Sequence, residues 1–481
     1  MKGSDHRPWR PATYVLAIAM AVGPAVDGRA QTLAAAPRSL RAAVADAAAA
    51  AAPAAGPQPL SGTLTLKDAI QRGLEYNLAV MGVTADVERT RADHGAARSA
   101  FLPNLSGDAS ITSQRVNLAA MGVAFDLPDV NVPTVVGPFR VLDARLRLTQ
   151  TVYDRAALEH VRGTEDTTRA ATVAADAARN GIVVMVGSAY LDAAAARARL
   201  QLARAKADTA ASLARKVEQQ QNAGLGTPLD GSRTRVEALA AQQQVAASEA
   251  ELAKAKIDLA RLIGVSPGAE YDLSPDLSYA PAPPMTIEQA VTLALARPDI
   301  TAAADELTAA ERALDSARGG RLPSVVVVAD VGASQAMSEP THATYMVAGV
   351  LRVPIWQGGR VAARVGQASA DVAERRARVD DLKARAEADV RRVYVDLRAA
   401  DGRVNVARES LTLMRETLAY VQQRFDNGLA EEVDLARARE SVAGAEFEVT
   451  NSVLAHAAAK LALARAIGRA SGDLAPFLLM P

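Results

Sequence analysis

The chain contains no cysteine. That excludes disulfides, thiolate metal sites, cysteine nucleophiles and a lipid anchor on an N-terminal cysteine. Aromatic residues are scarce, at 4% of 481 positions, while charged residues reach 22% and alanine dominates. Such a composition suits long, closely packed helices better than a globular core. A charge excess is missing too, with Lys+Arg and Asp+Glu at 54 each, so nothing electrostatic points to nucleic acid or an anionic membrane surface. The five histidines (His6, His94, His160, His342, His456) are scattered without metal-ligand spacing, and no nucleophile-elbow, Walker or dinucleotide-binding pattern occurs. Adjacent acids such as Asp380 and Asp381 fall on helix surfaces and read as solvated. Neither an enzyme site nor a cofactor is expected.

Long apolar runs are also absent, with one exception near the N-terminus. Lys2, Arg7 and Arg10 precede an apolar stretch from Ala12 to Val26, and Gly28-Arg29-Ala30 places small residues where a signal peptidase acts. Residues 1–30 therefore read as a secretory signal cleaved after Ala30, because the run is shorter than the ~20 residues of a spanning helix. Residues 31–62, with Ala47 to Ala52 unbroken and Pro53, Pro57 and Pro59 beyond, read as a flexible lead-in. If the mature chain enters a membrane, it must do so with strands.

The most ordered pattern is a heptad. Val390, Leu397, Val404, Leu411, Leu418 and Phe425 recur every seventh residue, and Val393, Ala400, Ala407, Met414 and Val421 sit three residues on from the first five. These are the a and d seams of a coiled coil. The helix carrying them is expected from Arg360 to Asn427, roughly 100 Å at 1.5 Å per residue. A strand from Val350 to Trp356 is expected just before it, ending at Gln357-Gly358-Gly359.

The plan is written twice. Leu64-Thr65-Leu66 returns as Met285-Thr286-Ile287, Phe101-Leu102-Pro103 as Arg321-Leu322-Pro323, and Tyr190-Leu191-Asp192 as Tyr394-Val395-Asp396. Val152-Tyr153-Asp154 likewise returns as Ile355-Trp356-Gln357, and Gly224-Leu225 with Asp230 as Gly428-Leu429 with Asp434. Matches in one order over about 200 residues mark an internal duplication. The expected organisation is a first repeat over 63–268, a linker over 269–284, a second repeat over 285–468 and a tail over 469–481. Each repeat reads helix, strand, strand, long helix, turn, helix. The first helices are expected to be continuous, from Leu66 to Ser99 and from Ile287 to Arg318.

Strand alternation follows each Leu-Pro. Leu105, Gly107, Ala109 and Ile111, then Leu142, Ala144, Leu146 and Leu148, share one face, and polar residues fill the other. Strands of about 10 residues with an apolar and a polar face suit a tilted crossing of a bilayer, outside apolar and lumen wet. The first strand pair is expected to be joined by a long loop over about Ser113 to Phe139. Four strands per chain cannot close a barrel, and open edges in lipid leave backbone groups unpaired. Two chains give a barrel filled by its own side chains, whereas three give twelve strands and room for a wet pore. A homotrimer is the expectation from this count.

The duplicated plan, Pro354-Ile355-Trp356-Gln357-Gly358-Gly359, and the Phe425-x-x-Gly428-Leu429-x-x-x-Val433-Asp434 turn resemble the TolC-like outer membrane efflux protein family over about Leu64 to Gly468. The resemblance implies a mainly α fold with a small β part. Long antiparallel coiled-coil helices would form a periplasmic tunnel, with four transmembrane strands per chain completing a 12-stranded barrel in outer-membrane lipid. It implies a passive conduit that works with a periplasmic adaptor (a membrane fusion protein) and an inner-membrane pump of the RND or ABC class. It further implies that the turns Gly224-Leu225 and Gly428-Leu429 meet the adaptor, and that Pro354, Trp356, Gly358 and Gly359 form the strand-to-helix junction. Acids ringing the periplasmic mouth map to Asp434. Arg437 stands where the family pattern has a second acid, with Glu431 and Glu432 nearby. Asp434 reads equally as a helix-start carboxylate favoured by the dipole, and Asp230 as a structural residue at its own turn. The competing class is a soluble periplasmic coiled-coil scaffold or adaptor.

Overall fold

The computed structural model describes residues 62–122, 133–274, 279–336, 342–470 and 472. The expected signal peptide, nearly all of the expected lead-in and nearly all of the tail lie outside the described residues. In chain order the elements are β1 (Thr63–Leu64), α1 (Leu66–Tyr76), α2 (Leu78–Ser99), β2 (Asn104–Asn117), β3 (Val135–Asp154), α3 (Arg155–Asn222) and α4 (Pro228–Leu262). The second half repeats that order: β4 (Asp272–Leu273), α5 (Ile287–Ala294), α6 (Pro298–Gly319), β5 (Ser324–Ala336), β6 (His342–Arg352), α7 (Arg360–Asp426) and α8 (Glu432–Ala466).

Two compact units result, and each draws on both repeats. One comprises Ala96–Glu159 and Ser316–Ala362; the other takes the described residues of Pro57–Gly95, His160–Asp315 and Ala363–Pro481. In the first unit the strands form one antiparallel sheet in the order β2-β3-β5-β6. The hairpins of the two repeats are joined by β3 and β5, with Leu146 opposite Val331 and Leu148 opposite Ala329. Leu105 pairs Leu148, Ile111 pairs Leu142 and Val331 pairs Tyr345, so one face is mostly apolar, with Gln335 opposite Leu142 and Gln150 opposite Val327 among its exceptions. Leu105, Ile111, Leu142, Leu146, Tyr345, Val347 and Leu351 on it are all exposed. The opposite face carries Asp108, Asp143, Arg145, Arg147 and Asp330.

The second unit holds the helical core. Ile182, Val183, Val186 and Tyr190 of α3, Val390 and Leu397 of α7, and Leu454 and Leu461 of α8 are buried together. An 18-residue window of α3 reaches a mean hydropathy of 1.3, enough for a membrane helix by length and composition, but half of it is buried inside the protein. The duplicated tyrosines gain a role here. Tyr190 Oη donates to Leu64 O at 3.1 Å, and Tyr394 Oη donates to Met285 O at 2.7 Å. In each repeat the long helix thus ties down the residue two before the first helix. Leu64 and Leu273 pair in parallel between β1 and β4.

Several sequence expectations need correction. Each first helix is broken rather than continuous. In the second half Pro298 has no N–H to donate, and its ring pushes Arg297 out of the helical region. In the first half the side chain of Asn77 donates to Leu262 O at 3.0 Å and accepts from Ala79 N at 2.9 Å, competing with the helix backbone. The first hairpin's strands extend well into the expected loop, with Gln114 opposite Phe139 and Asn117 opposite Val135; residues 123–132 are outside the described residues. The expected strand from Val350 to Trp356 stops at Arg352, two residues before Pro354, which has no ladder donor.

Candidate functional site

The two hairpin turns of the helical unit are near-copies. Gly224 has φ +75° and Gly428 φ +71°, left-handed values that glycine adopts without a Cβ penalty. Leu225 N donates to Gln220 O and Leu429 N to Arg424 O, both at 2.8 Å, closing a six-to-one bond that satisfies a last-turn carbonyl. Leu225 and Leu429 project as exposed apolar residues one position beyond. Open space surrounds both glycines, so it is the backbone angle that demands glycine.

Past each turn a carboxylate bends back to the start of the return helix. Asp230 accepts the hydroxyl of Thr227 at 2.5 Å, and Thr227 Oγ1 accepts Asp230 N at 3.2 Å. Asp434 Oδ2 accepts Glu431 N at 3.1 Å, one half of a capping box. Arg437 makes no ion pair with Asp434 among the described residues. It lines a cavity of about 320 Å³ between α3, α4 and α8, with Lys206, Lys216, Glu237, Glu432 and Glu440. Glu431 is drawn elsewhere: Lys216 Nζ of α3 donates to its Oε2 at 2.7 Å. That contact joins the two repeats beside the turns. Lys216 carries no sequence signal, because its partner lies 215 residues away.

The junction residues belong to the sheet unit. Gly358 and Gly359 both have positive φ, +60° and +80°. Gln357 Nε2 donates to Gly320 O at 3.1 Å, and Arg360 Nη2 donates to Gln357 Oε1 at 2.7 Å. Between the end of β6 and this turn, Ile355 is 95% exposed and Trp356 87%. In the first repeat β3 passes straight into α3, whose start is capped by Asp154 Oδ1 accepting Ala157 N at 3.0 Å. Phe101, also near a strand end, is buried.

A polar cluster that sequence reading passed over fastens the inter-repeat segment to the helices. Tyr279 Oη donates to Asp401 Oδ1 at 2.5 Å, and the Arg408 guanidinium lies 4.4 Å from the Tyr279 ring centroid. Buried Lys460 donates to Ala280 O at 2.8 Å, and burial pushes its pKa down to about 8. Buried His456 faces Asp401 at 3.9 Å; burial first, and Lys460 second, lower its pKa. Among the described residues no three His, Cys, Asp or Glu converge as a metal site.

The family model "Outer membrane efflux protein" matches residues 69–265 and 291–469. The chain is 29% identical over 299 residues to the fusaric acid resistance protein FusA of Burkholderia cepacia, covering 59% of this chain and 54% of that one. It is 26% identical over 322 residues to outer membrane protein OprJ of Pseudomonas aeruginosa, covering 63% of each. The chain thus spans little more than half the length of the curated relatives it matches. Among solved structures, the Campylobacter jejuni CmeC outer membrane channel superposes with a TM-score of 0.71 at 17% identity, covering 84% of this chain and 86% of that one. The outer membrane protein VceC of Vibrio cholerae gives 0.68 at 20% identity, covering 84% and 96%.

Proposed function

We propose, on the premise that this chain belongs to the outer membrane efflux protein family, that it is the outer-membrane channel of an efflux or secretion system. It conducts substrates passively, carries out no catalysis itself, and reaches its site through an N-terminal signal. The observation that carries this reading is the sheet. Four antiparallel strands present a mostly apolar exposed face, and β2 and β6 end the sheet with edges that have no partner strand among the described residues. Lipid does not tolerate an open edge, so further copies must supply the missing partners. Three copies supply twelve strands, leaving room for a wet pore.

In the homotrimer the apolar face meets outer-membrane lipid, and the helical unit lines a periplasmic passage. The Gly224-Leu225 and Gly428-Leu429 turns meet a periplasmic adaptor, which links the channel to an inner-membrane pump. Asp434, Arg437, Glu431, Glu432 and Asp230 lie beside those turns, at the passage's periplasmic mouth, and the Lys216–Glu431 contact holds one hairpin against the other there. Pro354, Trp356, Gly358 and Gly359 form the junction at the inner edge of the membrane.

Fractionation of cells expressing the full chain tests the assignment. The expected result is an outer-membrane protein that migrates as an SDS-resistant, heat-dissociable trimer. Recovery as soluble periplasmic protein would instead support the coiled-coil scaffold.

A further inference from the structure

In the middle of the sheet the charges of the polar face sort into two groups. Arg145 is fully committed. Its Nε and Nη2 donate to the two oxygens of Asp143 at 2.7 and 2.9 Å, and its Nη1 donates to Asp330 Oδ1 at 3.0 Å. Gly332 permits this arrangement. A Cβ there would come within 2.5 Å of Arg145 Cγ and 2.6 Å of Ala144 O, so any larger residue would lift the guanidinium off the wall. Asp330 is buried beneath it. A guanidinium held by two carboxylates is a fixed set that keeps a net charge of about −1.

Asp108 and Arg147 are the other group. Both are exposed, and neither makes an ion pair or side-chain hydrogen bond among the described residues. Asp108 stands opposite Arg145, and Arg147 stands opposite Ser106 on one side and Asp330 on the other. Asp330, opposite Arg147, is engaged by Arg145 through its Oδ1. Asp108 and Arg147 are diagonal neighbours on paired strands, a relation that places side-chain origins about 7–8 Å apart.

We propose that Asp108 and Arg147 are the residues by which the strand-built part of the channel discriminates charged solutes. The proposal rests on the channel reading, in which the polar face lines the lumen. In a ring of three chains the pair recurs three times at one level, so opposite charges alternate around the wall. Exposed charges that make no ion pair act on a passing solute over about a Debye length, ~10 Å at 0.1 M salt. Such a ring offers simple ions two offsetting influences. Solutes that carry both an anionic and a cationic group gain from both.

The reversal potential of the purified full-length channel in a planar bilayer, under a KCl gradient, tests this. Arg147→Gln should move it toward the potassium equilibrium potential and Asp108→Asn toward that of chloride, with the double variant returning close to the wild-type value. Both shifts should shrink as salt rises. Ser106→Asp, which sets a carboxylate opposite Arg147 without removing a residue, should shift the potential in the same direction as Arg147→Gln. Conducting variants that all keep the wild-type reversal potential would overturn the proposal and leave the channel reading standing. A wild-type protein that passes no current would overturn both.

Discussion

At the scale of single residues, polar side chains fix the ends of elements more than they fix the core. Tyr190 and Tyr394 show it most plainly. Each spends its hydroxyl on a backbone carbonyl just before the first helix of its own repeat. A hydrogen bond of this kind contributes about 1 kcal/mol net, so Tyr394→Phe should lower the thermal midpoint measurably without changing secondary structure by circular dichroism. Lys460 gives a pH dependence of known sign. Its pKa falls from 10.5 to about 8 on folding, so between those values the unfolded chain binds more protons and stability rises with pH. Below about pH 8 both states are charged and the penalty is constant. Thermal midpoints at about pH 7.5 and 9.5 should therefore rise more in the wild type than in Lys460→Met. Equal rises would show that Lys460 is not the group responsible. The duplicated tyrosines were visible in the sequence as a repeated motif, but their carbonyl partners were not, because a backbone acceptor has no signature. His456 and Lys460 gave no signal either, since burial of a lone cation is decided by packing.

At the scale of elements, the long helices and their turns follow from local chemistry. The seam at Val390, Leu397 and Val404 is buried as its period requires, while Leu411 and Leu418, nearer the turn, are half-buried. Strand pairing and facing were equally legible, because alternation over Leu142, Ala144, Leu146 and Leu148 leaves a single register that keeps the apolar face intact. The helix breaks at Asn77 and before Pro298 were not anticipated, since both lie inside otherwise periodic stretches. The Lys216–Glu431 contact was invisible for another reason: its partners come from different repeats. As an exposed pair it should be worth about 0.2–1 kcal/mol, too little to govern folding. Lys216→Ala and Glu431→Ala should each raise the open fraction of the channel in bilayer recordings, and the double variant should do no more than either single. Additive effects would show that the residues act separately. Asp434→Ala removes half of a capping box, a loss of about 0.3–1.5 kcal/mol. Unchanged conductance and cation block in that variant would assign Asp434 to helix capping, whereas a change in either would place it at the aperture. At Gly428, a Val replacement forces a β-branched residue to positive φ. Export should fall while trimers persist on SDS gels; loss of trimers would mean that the turn serves assembly.

At the scale of the whole molecule, surfaces left uncovered in one chain carry the argument. Among the described residues the sheet ends in two unpaired edges, its apolar face is bare, and α7 exposes Val406, Leu413 and Tyr420 at heptad spacing. A single soluble copy would present all three to water. Copies side by side in a membrane would cover the edges with strands and the face with lipid, and would bring the α7 stripe within reach of a neighbour. Current through a planar lipid bilayer to which purified full-length protein is added tests this most directly. The account predicts discrete, uniform current steps from SDS-resistant trimers. Trimers that insert without conducting, or a soluble protein that never inserts, would contradict it.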